Sequence, residues 1–131
     1  MILDTNLLIR LERELRRGER GVATAFFEGL EETRLCITPT IAGEFACGRT
    51  MGRREIWEEA LAPYEILPVT REVGWHYGEL YRMLAERGIL IGTNDLWIAA
   101  TAVVYEMPLA TGNLGEFGRV DGLEVVGVVK G

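Results

Sequence analysis

The sequence contains few of the residues that bind soft metals or form disulfides. Its 131 residues include one histidine, His76, and two cysteines, Cys36 and Cys47. A zinc site built from histidine and cysteine is therefore not expected. The two cysteines form no Cys-x-x-Cys motif, so we expect buried, reduced thiols of a cytoplasmic protein rather than a disulfide framework.

A long apolar run is also missing. No uninterrupted stretch approaches the roughly 20 apolar residues that cross a membrane. The first residues carry no basic leader, and Asp4 interrupts the first apolar run, so we expect no signal peptide, no membrane partner and a cytoplasmic location. Hydrophobic residues make up 48% of the chain, which is enough for the core of one domain over 1–131.

Lysine is nearly absent, since Lys130 is the only one beside thirteen arginines. The net charge of −6 at first argues against a nucleic-acid partner. However, residues 1–54 contain nine arginines and eight acids, whereas 55–131 contain five basic residues and twelve acids. The early arginines form two groups: Arg10, Arg13, Arg16, Arg17 and Arg20, and then Arg49, Arg53 and Arg54. Taken alone, these two groups indicate solvated helix faces.

Short apolar segments alternate with helical patterns along the whole chain. This alternation predicts an α/β fold in which helices cover both faces of a parallel sheet. The predicted strands are 1–4, 35–38, 65–69, 107–111 and 123–129. The predicted helices are 6–17, 21–32, one beginning at Thr38-Pro39, 54–64, 71–88 and 94–106.

Acidic and amide side chains follow several of the predicted strands. In parallel sheets the ligand site lies beyond the carboxyl ends of the strands. Each residue alone has a structural explanation: Asp4 and Asp95 as helix N-caps, Glu44 as a solvated residue, and Glu116 as the partner of a surface arginine. The set consists of Asp4, Glu44 and Asp95, with Thr111, Asn113 and Glu116 after the fourth strand.

Taken together, these acids indicate a cation. Carboxylates that converge without lysine or histidine repel one another. Ligands that are all oxygen select Mg²⁺ or Mn²⁺. Such ions activate water and stabilise displacement at phosphorus. The sequence therefore predicts metal-dependent hydrolysis of a phosphodiester.

Other phosphate chemistries fit the sequence less well. A haloacid-dehalogenase phosphatase needs a second aspartate where Asn6 stands. A response-regulator receiver needs a phosphate-accepting aspartate after the third strand and a lysine near the fifth. The third predicted strand ends in "ILPVTRE", without such an aspartate, and the only lysine is Lys130. The sequence contains no GxxxxGK[ST] loop and no GxGxxG after a strand. Nucleotide binding of these two kinds is therefore unsupported.

The ordered segments "LDTN", Glu44, "NDLWIAATA" and "TGNLGEFGRVDGLEV" resemble the PIN-domain family, and most of all its VapC-type toxins of prokaryotic toxin–antitoxin pairs. The resemblance covers essentially the whole chain. It implies a three-layer fold with a five-stranded parallel sheet and a Mg²⁺- or Mn²⁺-dependent endoribonuclease site.

The resemblance also implies individual roles. Asp4, Glu44 and Asp95 match the three family acids, and Thr5 and Asn6 match the small polar residues after the first. The fourth acidic position falls on Asn113 or Glu116, and we expect Glu116 to act through a water or a second metal. Gly112 departs from the arginine, aspartate or asparagine often found at its position. The implied metal ligands are Asp4, Glu44, Asp95 and Glu116, and the implied catalytic set adds Thr5, Asn6 and Asn113.

The expected partners follow from the same resemblance. They are an RNA substrate, a cognate antitoxin that inserts a peptide into the active-site groove, and a second copy in a homodimer. The arginines of both groups then become candidates for contacts with the RNA backbone. Two alternatives remain open at this point: a binding module for RNA or a partner with weak or no catalysis, and a PIN ribonuclease of RNA maturation or decay.

Overall fold

The computed structural model describes residues 1–128. A five-stranded parallel sheet with the strand order β3-β2-β1-β4-β5 forms its centre. The strands are β1 Ile2–Leu3, β2 Cys36–Ile37, β3 Glu65–Ile66, β4 Leu109–Thr111 and β5 Val125–Gly127. The α/β class, the parallel sheet and the number of strands predicted from the sequence are confirmed.

Seven α-helices within residues 1–128 connect the strands. They are α1 Thr5–Arg17, α2 Val22–Glu28, α3 Pro39–Ala46, α4 Arg54–Leu61, α5 Arg71–Glu86, α6 Thr93–Val104 and α7 Leu114–Phe117, with a 3₁₀ turn at Arg49–Met51. Right-handed crossovers place α1 to α4 on one face of the sheet and α5 to α7 on the other. The contacts agree, because α1 packs against α2 and α3, and α6 packs against α5 and α7.

The strand order reverses between β1 and β4. Chain connections leave these two adjacent strands in opposite directions, which opens a crevice at their carboxyl ends. The central strands β1 and β4 are covered on both faces, and Ile2, Leu3, Leu109 and Ala110 are all fully buried. The next residue along β4 is Thr111, a polar residue that is also fully buried.

Several boundaries differ from the sequence-based prediction. Helix α1 begins at Thr5, so Thr5 and Asn6 lie in its first turn. Helix α2 ends at Glu28, and the helix α7 and the 3₁₀ turn were not predicted. Strand β3 is shorter than the predicted 65–69 and lies at the edge of the sheet, with both of its residues exposed. Val129, the last residue of the predicted fifth strand, and Lys130 lie outside the described residues.

No helix within residues 1–128 is both long enough and apolar enough to cross a membrane.

Candidate active site

Asp4 lies at the reversal point of the sheet and has two structural partners. It precedes α1 as the N-cap, and its Oδ1 accepts a 2.8 Å hydrogen bond from the backbone N–H of Thr5. Its Oδ2 accepts a 2.7 Å hydrogen bond from the hydroxyl of Thr111, at the end of β4. Asp4 is therefore both a helix cap and the innermost acid of the crevice, two roles that the sequence analysis treated as alternatives.

Glu44 reaches the same crevice from α3. The hydroxyl of Thr5 donates a 2.6 Å hydrogen bond to its Oε1, and the side-chain amide of Asn94 donates to its Oε2 at 3.4 Å. Because Thr5 follows Asp4 directly, the start of α1 fixes the second acid relative to the first. Thr5 was predicted as a site residue from the sequence, whereas Asn94, which stands beside Asp95 in the motif "NDLW", was not.

Asp95 and Glu116 approach from the other face of the sheet. Asp95 is the third residue of α6, where Gly92 is the N-cap, so its predicted alternative role as an N-cap is wrong. Its carboxyl group is hydrogen-bonded to that of Glu116 in α7. Asn113 caps α7 by accepting from the backbone N–H of Glu116, and its amide donates a 3.1 Å hydrogen bond to Glu116 Oε2.

The charges of these acids act on one another. Burial raises the pKa of Asp4, and the hydrogen bonds from Thr111 and Thr5 oppose that shift. The negative charges of Glu44 and Glu116 raise it further. The four acids therefore share one electrostatic environment, although they come from four different elements.

The pair of Asp95 and Glu116 carries the largest shift. Burial, the hydrogen bond to Glu116 and the nearby negative charges raise the pKa of Asp95 to about 7. The hydrogen bond from Asp95 lowers the pKa of Glu116. The two carboxyl groups therefore titrate as a pair rather than as independent acids.

A cleft of about 440 Å³ opens onto this crevice. Its walls include Asp4, Glu44 and Asp95, but not Glu116, which is hydrogen-bonded to the wall residues Asp95 and Asn113. The cleft is lined by Asp4, Thr5, Asn6, Ile9, Glu44, Cys47, Asn94, Asp95 and Asn113.

Cys47 is a further wall residue of the cleft, one turn after Glu44. Its side chain is exposed, so the prediction that both cysteines are buried is wrong for Cys47, whereas Cys36 is fully buried. Helix α3 ends at Ala46, and the thiol of Cys47 donates to the carbonyl of Gly43 at 3.4 Å, which leaves it at the rim of the cleft.

The comparisons with known proteins agree with this geometry. The profile of the PIN domain family matches residues 1–123. The chain belongs to the PIN domain family.

Proteins from several organisms are similar to this PIN domain. It is 39% identical to Ribonuclease VapC1 of Methanocaldococcus jannaschii over 124 residues, which cover 92% of this chain and 80% of that protein. It is 31% identical to Ribonuclease VapC1 of Rickettsia felis over 136 residues, covering 98% and 96%. It also superimposes on a chain of the VapBC-1 structure from nontypeable Haemophilus influenzae with a TM-score of 0.78 and 27% identity, covering 98% of each chain.

The chemistry of the acids in this PIN domain suits a hard cation. All the groups are oxygen donors, and burial together with their mutual repulsion raises the pKa values of Asp4 and Asp95. As they stand, no three histidine, cysteine, aspartate or glutamate side chains among residues 1–128 are arranged to hold one metal ion. The acids therefore fit a hard cation through the type and the charge of their donor atoms.

Proposed function

We propose that the chain is a single PIN domain that cleaves RNA phosphodiester bonds with a divalent metal ion and acts as the toxin of a toxin–antitoxin pair. The observation that carries this proposal is the convergence of Asp4, Glu44 and Asp95 on one cleft at the reversal point of the sheet. The ribonuclease names of its relatives support the same chemistry.

The metal would be Mg²⁺ or Mn²⁺, held by Asp4, Glu44 and Asp95 on the cleft wall, with Glu116 as the acid hydrogen-bonded to Asp95. Such an ion lowers the pKa of water and stabilises the charge that develops at phosphorus. Both ions prefer oxygen ligands, so we propose that the site accepts either of them.

The other polar residues have positioning roles in this proposal. Thr5 orients Glu44 through its 2.6 Å hydrogen bond, and Asn113 orients Glu116 through its 3.1 Å hydrogen bond. Asn6 is exposed at the mouth of the cleft, where its amide can orient water or the RNA backbone. In this arrangement Glu116 is the fourth acid, and Asn113 supports it.

Cleavage tests the proposal directly. The purified chain is incubated with folded transfer RNA and with total RNA, in Mg²⁺, in Mn²⁺ and in EDTA, beside the Asp95→Asn variant. We expect metal-dependent cleavage by the natural chain and a loss of at least a hundredfold in the variant. RNA binding without cleavage at any metal concentration would instead support the binding-module alternative.

The partners are proposed from the structures that the fold resembles. The similar Haemophilus structure is a VapBC-1 complex, and we propose that this chain likewise binds an antitoxin and forms a homodimer. Co-expression with the product of the neighbouring small gene should yield a stable complex in which cleavage is inhibited. Light scattering of the chain alone should give twice its mass of 14.6 kDa. A neighbouring gene without such a product would favour a role in RNA maturation or decay.

A further inference from the structure

A second cleft of about 600 Å³ continues from the acidic cleft along α1. The two clefts share Asn6, Ile9 and Asn113 as wall residues. The far walls differ in charge, because the second cleft is lined by Arg10 and Arg13 where the first has its acids. A molecule that lies across both clefts therefore meets acids at one end and arginines at the other.

The two arginines of this second cleft, Arg10 and Arg13, belong to a longer polar stripe on α1. Asn6, Arg10, Arg13 and Arg17 follow one another at intervals of four, three and four residues, which places them on one face of a helix. The stripe runs about 16 Å away from the acidic cleft, at 1.5 Å per residue. It is therefore long enough to accompany an extended strand that leaves the acidic cleft.

The other two arginines of the early group are engaged elsewhere. Arg16 forms an ion pair with Glu12 at 3.5 Å and lines an apolar groove on another side of α1. Arg20 pairs with Glu28. Among residues 1–128 no carboxylate is within ion-pair distance of Arg10 or Arg13. Their guanidinium groups are thus available to an anion from outside the chain.

Gly112 keeps the second cleft open opposite these arginines. A Cβ atom added at this position would meet only the carbonyl oxygen of Val128, at 3.5 Å. A side chain at 112 therefore has room, and because Gly112 lines the cleft, it would enter the same space as Arg10 and Arg13. Glycine leaves that space to a ligand.

We propose that Arg10 and Arg13 bind the backbone phosphate of the RNA nucleotide next to the one that is cleaved. This inference rests on the proposed ribonuclease function. Guanidinium groups suit the oxygens of a phosphate and remain charged at every relevant pH. The acidic cleft repels an RNA backbone, so a phosphate subsite beside it supplies the attraction that a chain of net charge −6 otherwise lacks.

The test compares Arg10→Gln, Arg13→Gln and the double variant with Arg16→Gln as a matched control on the same helix. Binding of a fluorescent single-stranded RNA is measured in EDTA at several salt concentrations, and cleavage is measured separately in Mn²⁺. We expect the double variant to bind at least tenfold more weakly. Its slope of log affinity against log salt should be shallower by about 0.7, because one phosphate contact is lost. In cleavage, KM should rise while kcat stays within a few-fold.

The control and a second pair of variants keep the outcome clear. Arg16→Gln should retain the affinity and the salt slope of the natural chain. Gly112→Asp places a carboxylate beside the arginines and should weaken RNA binding more than the neutral Gly112→Asn. This pair tests the subsite even if the double variant proves unstable by circular dichroism.

Three results would overturn the inference. The first is a double variant whose salt slope equals that of Arg16→Gln. The second is a fall in kcat at unchanged KM. The third is normal RNA binding with loss of antitoxin binding, which would assign the arginines to the partner. In all three the natural chain still cleaves RNA. A natural chain that neither binds nor cleaves any RNA would instead refute the proposed function itself, and the inference with it.

Discussion

Thr111 and Asp4 are joined by a 2.7 Å hydrogen bond between the ends of two adjacent strands, although 107 residues separate them in the sequence. Thr111 is fully buried, and Asp4 is 4% exposed. The same hydroxyl accepts a 2.9 Å hydrogen bond from the backbone N–H of Asn113. One buried hydroxyl thus connects the first acid of the cleft with the loop that leads to the fourth.

The variant Thr111→Val tests this connection. Valine has a similar shape but leaves Asp4 Oδ2 and the N–H of Asn113 without their partner. We expect the free energy of unfolding at pH 7 to fall by about 1–3 kcal/mol, the usual cost of an unsatisfied buried polar group. Because the lost bond lowers the pKa of Asp4, that pKa should also rise. Urea denaturation measures the first effect, and NMR titration the second.

Thr101→Val is the matched control. Thr101 is also fully buried, but its hydroxyl donates to the backbone carbonyl of Trp97 one turn earlier on the same helix. That carbonyl is within the hydrogen-bonded part of α6, so losing the hydroxyl should cost less. Equal losses in the two variants would show that the hydroxyl of Thr111 has no special role.

A second prediction concerns the pH dependence of stability through Asp95. Its pKa is raised from the ordinary 3.8 to about 7 in the folded chain. Between these values the folded state binds the proton and the unfolded state does not, so stability falls as the pH rises from about 4 to about 7. Asp95→Asn removes this fall. In EDTA, the Tm of the variant should exceed that of the natural chain more at pH 8 than at pH 5.

The exposed Asp121 provides the comparison for this experiment. It pairs with Arg87 at 2.9 Å on the surface, so in Asp121→Asn the Tm difference from the natural chain should change little between pH 5 and pH 8. If Asp95→Asn also gave a constant difference across this range, Asp95 would not hold a proton near neutral pH. Cleavage activity should be lost in Asp95→Asn and retained in Asp121→Asn.

The sequence predicted the place of the acids better than their partners. Asp4 follows an apolar strand and Asp95 begins an apolar helix, and such local patterns are visible in one dimension. The hydrogen bond from Asp95 to Glu116 depends on how α7 folds back over the sheet, and α7 itself is a four-residue helix without enough length for a periodic pattern. The sequence therefore left open whether Asn113 or Glu116 is the fourth acidic position.

Glu14 is a buried and hydrogen-bonded acid that was not predicted from the sequence. It lies among arginines and other glutamates on an amphipathic helix, so the sequence gives it the pattern of a solvated residue. In the structure it is only 8% exposed. It accepts hydrogen bonds from the N–H groups of Gly21, Ala23 and Thr24 at 2.8–3.2 Å and from the hydroxyl of Thr24 at 2.6 Å. The turn after α1, which begins at Gly18 in the left-handed conformation, brings these donors together. Gly18 signals the end of the helix, but the helical pattern does not predict the contacts of Glu14 beyond it.

The third prediction follows from this anchor between α1 and α2. Burial alone would raise the pKa of Glu14, but its four hydrogen bonds together lower it. We expect Glu14→Gln to lower the free energy of unfolding by about 1.5–3 kcal/mol at pH 7, as for hydrogen bonds to a charged group. Because the folded pKa is depressed, the difference between the natural chain and the variant should shrink as the pH falls below about 4.

Glu12→Gln is the control for Glu14. Glu12 lies on the same helix and makes one ion pair with Arg16 at the surface. Surface pairs contribute little, so this variant should be much closer to the natural chain at every pH. If Glu14→Gln is as stable as Glu12→Gln, the amide replaces the carboxylate without loss. The hydrogen bonds between α1 and α2 would then not depend on the negative charge of Glu14.

The fourth prediction concerns the effect of metal on stability. An ion that binds only the folded chain raises its stability by mass action, by roughly 2.7 kcal/mol at one hundred times its Kd. Mn²⁺ or Mg²⁺ should therefore raise the Tm of the natural chain in a concentration-dependent way. The effect should be larger at pH 8 than at pH 6, because below its pKa of about 7 Asp95 holds a proton that competes with the metal.

Two variants locate this ion. Asp95→Asn should abolish the metal-dependent rise in Tm, and Asp121→Asn should leave it unchanged, since its carboxylate pairs with Arg87 on the surface. A rise that persists in Asp95→Asn would place the ion away from the cleft. If the metal-dependent rise in Tm is lost in Asp95→Asn but does not depend on pH, the ion binds in the cleft but does not compete with a proton on Asp95. In that case metal binding displaces no proton from Asp95 between pH 6 and pH 8.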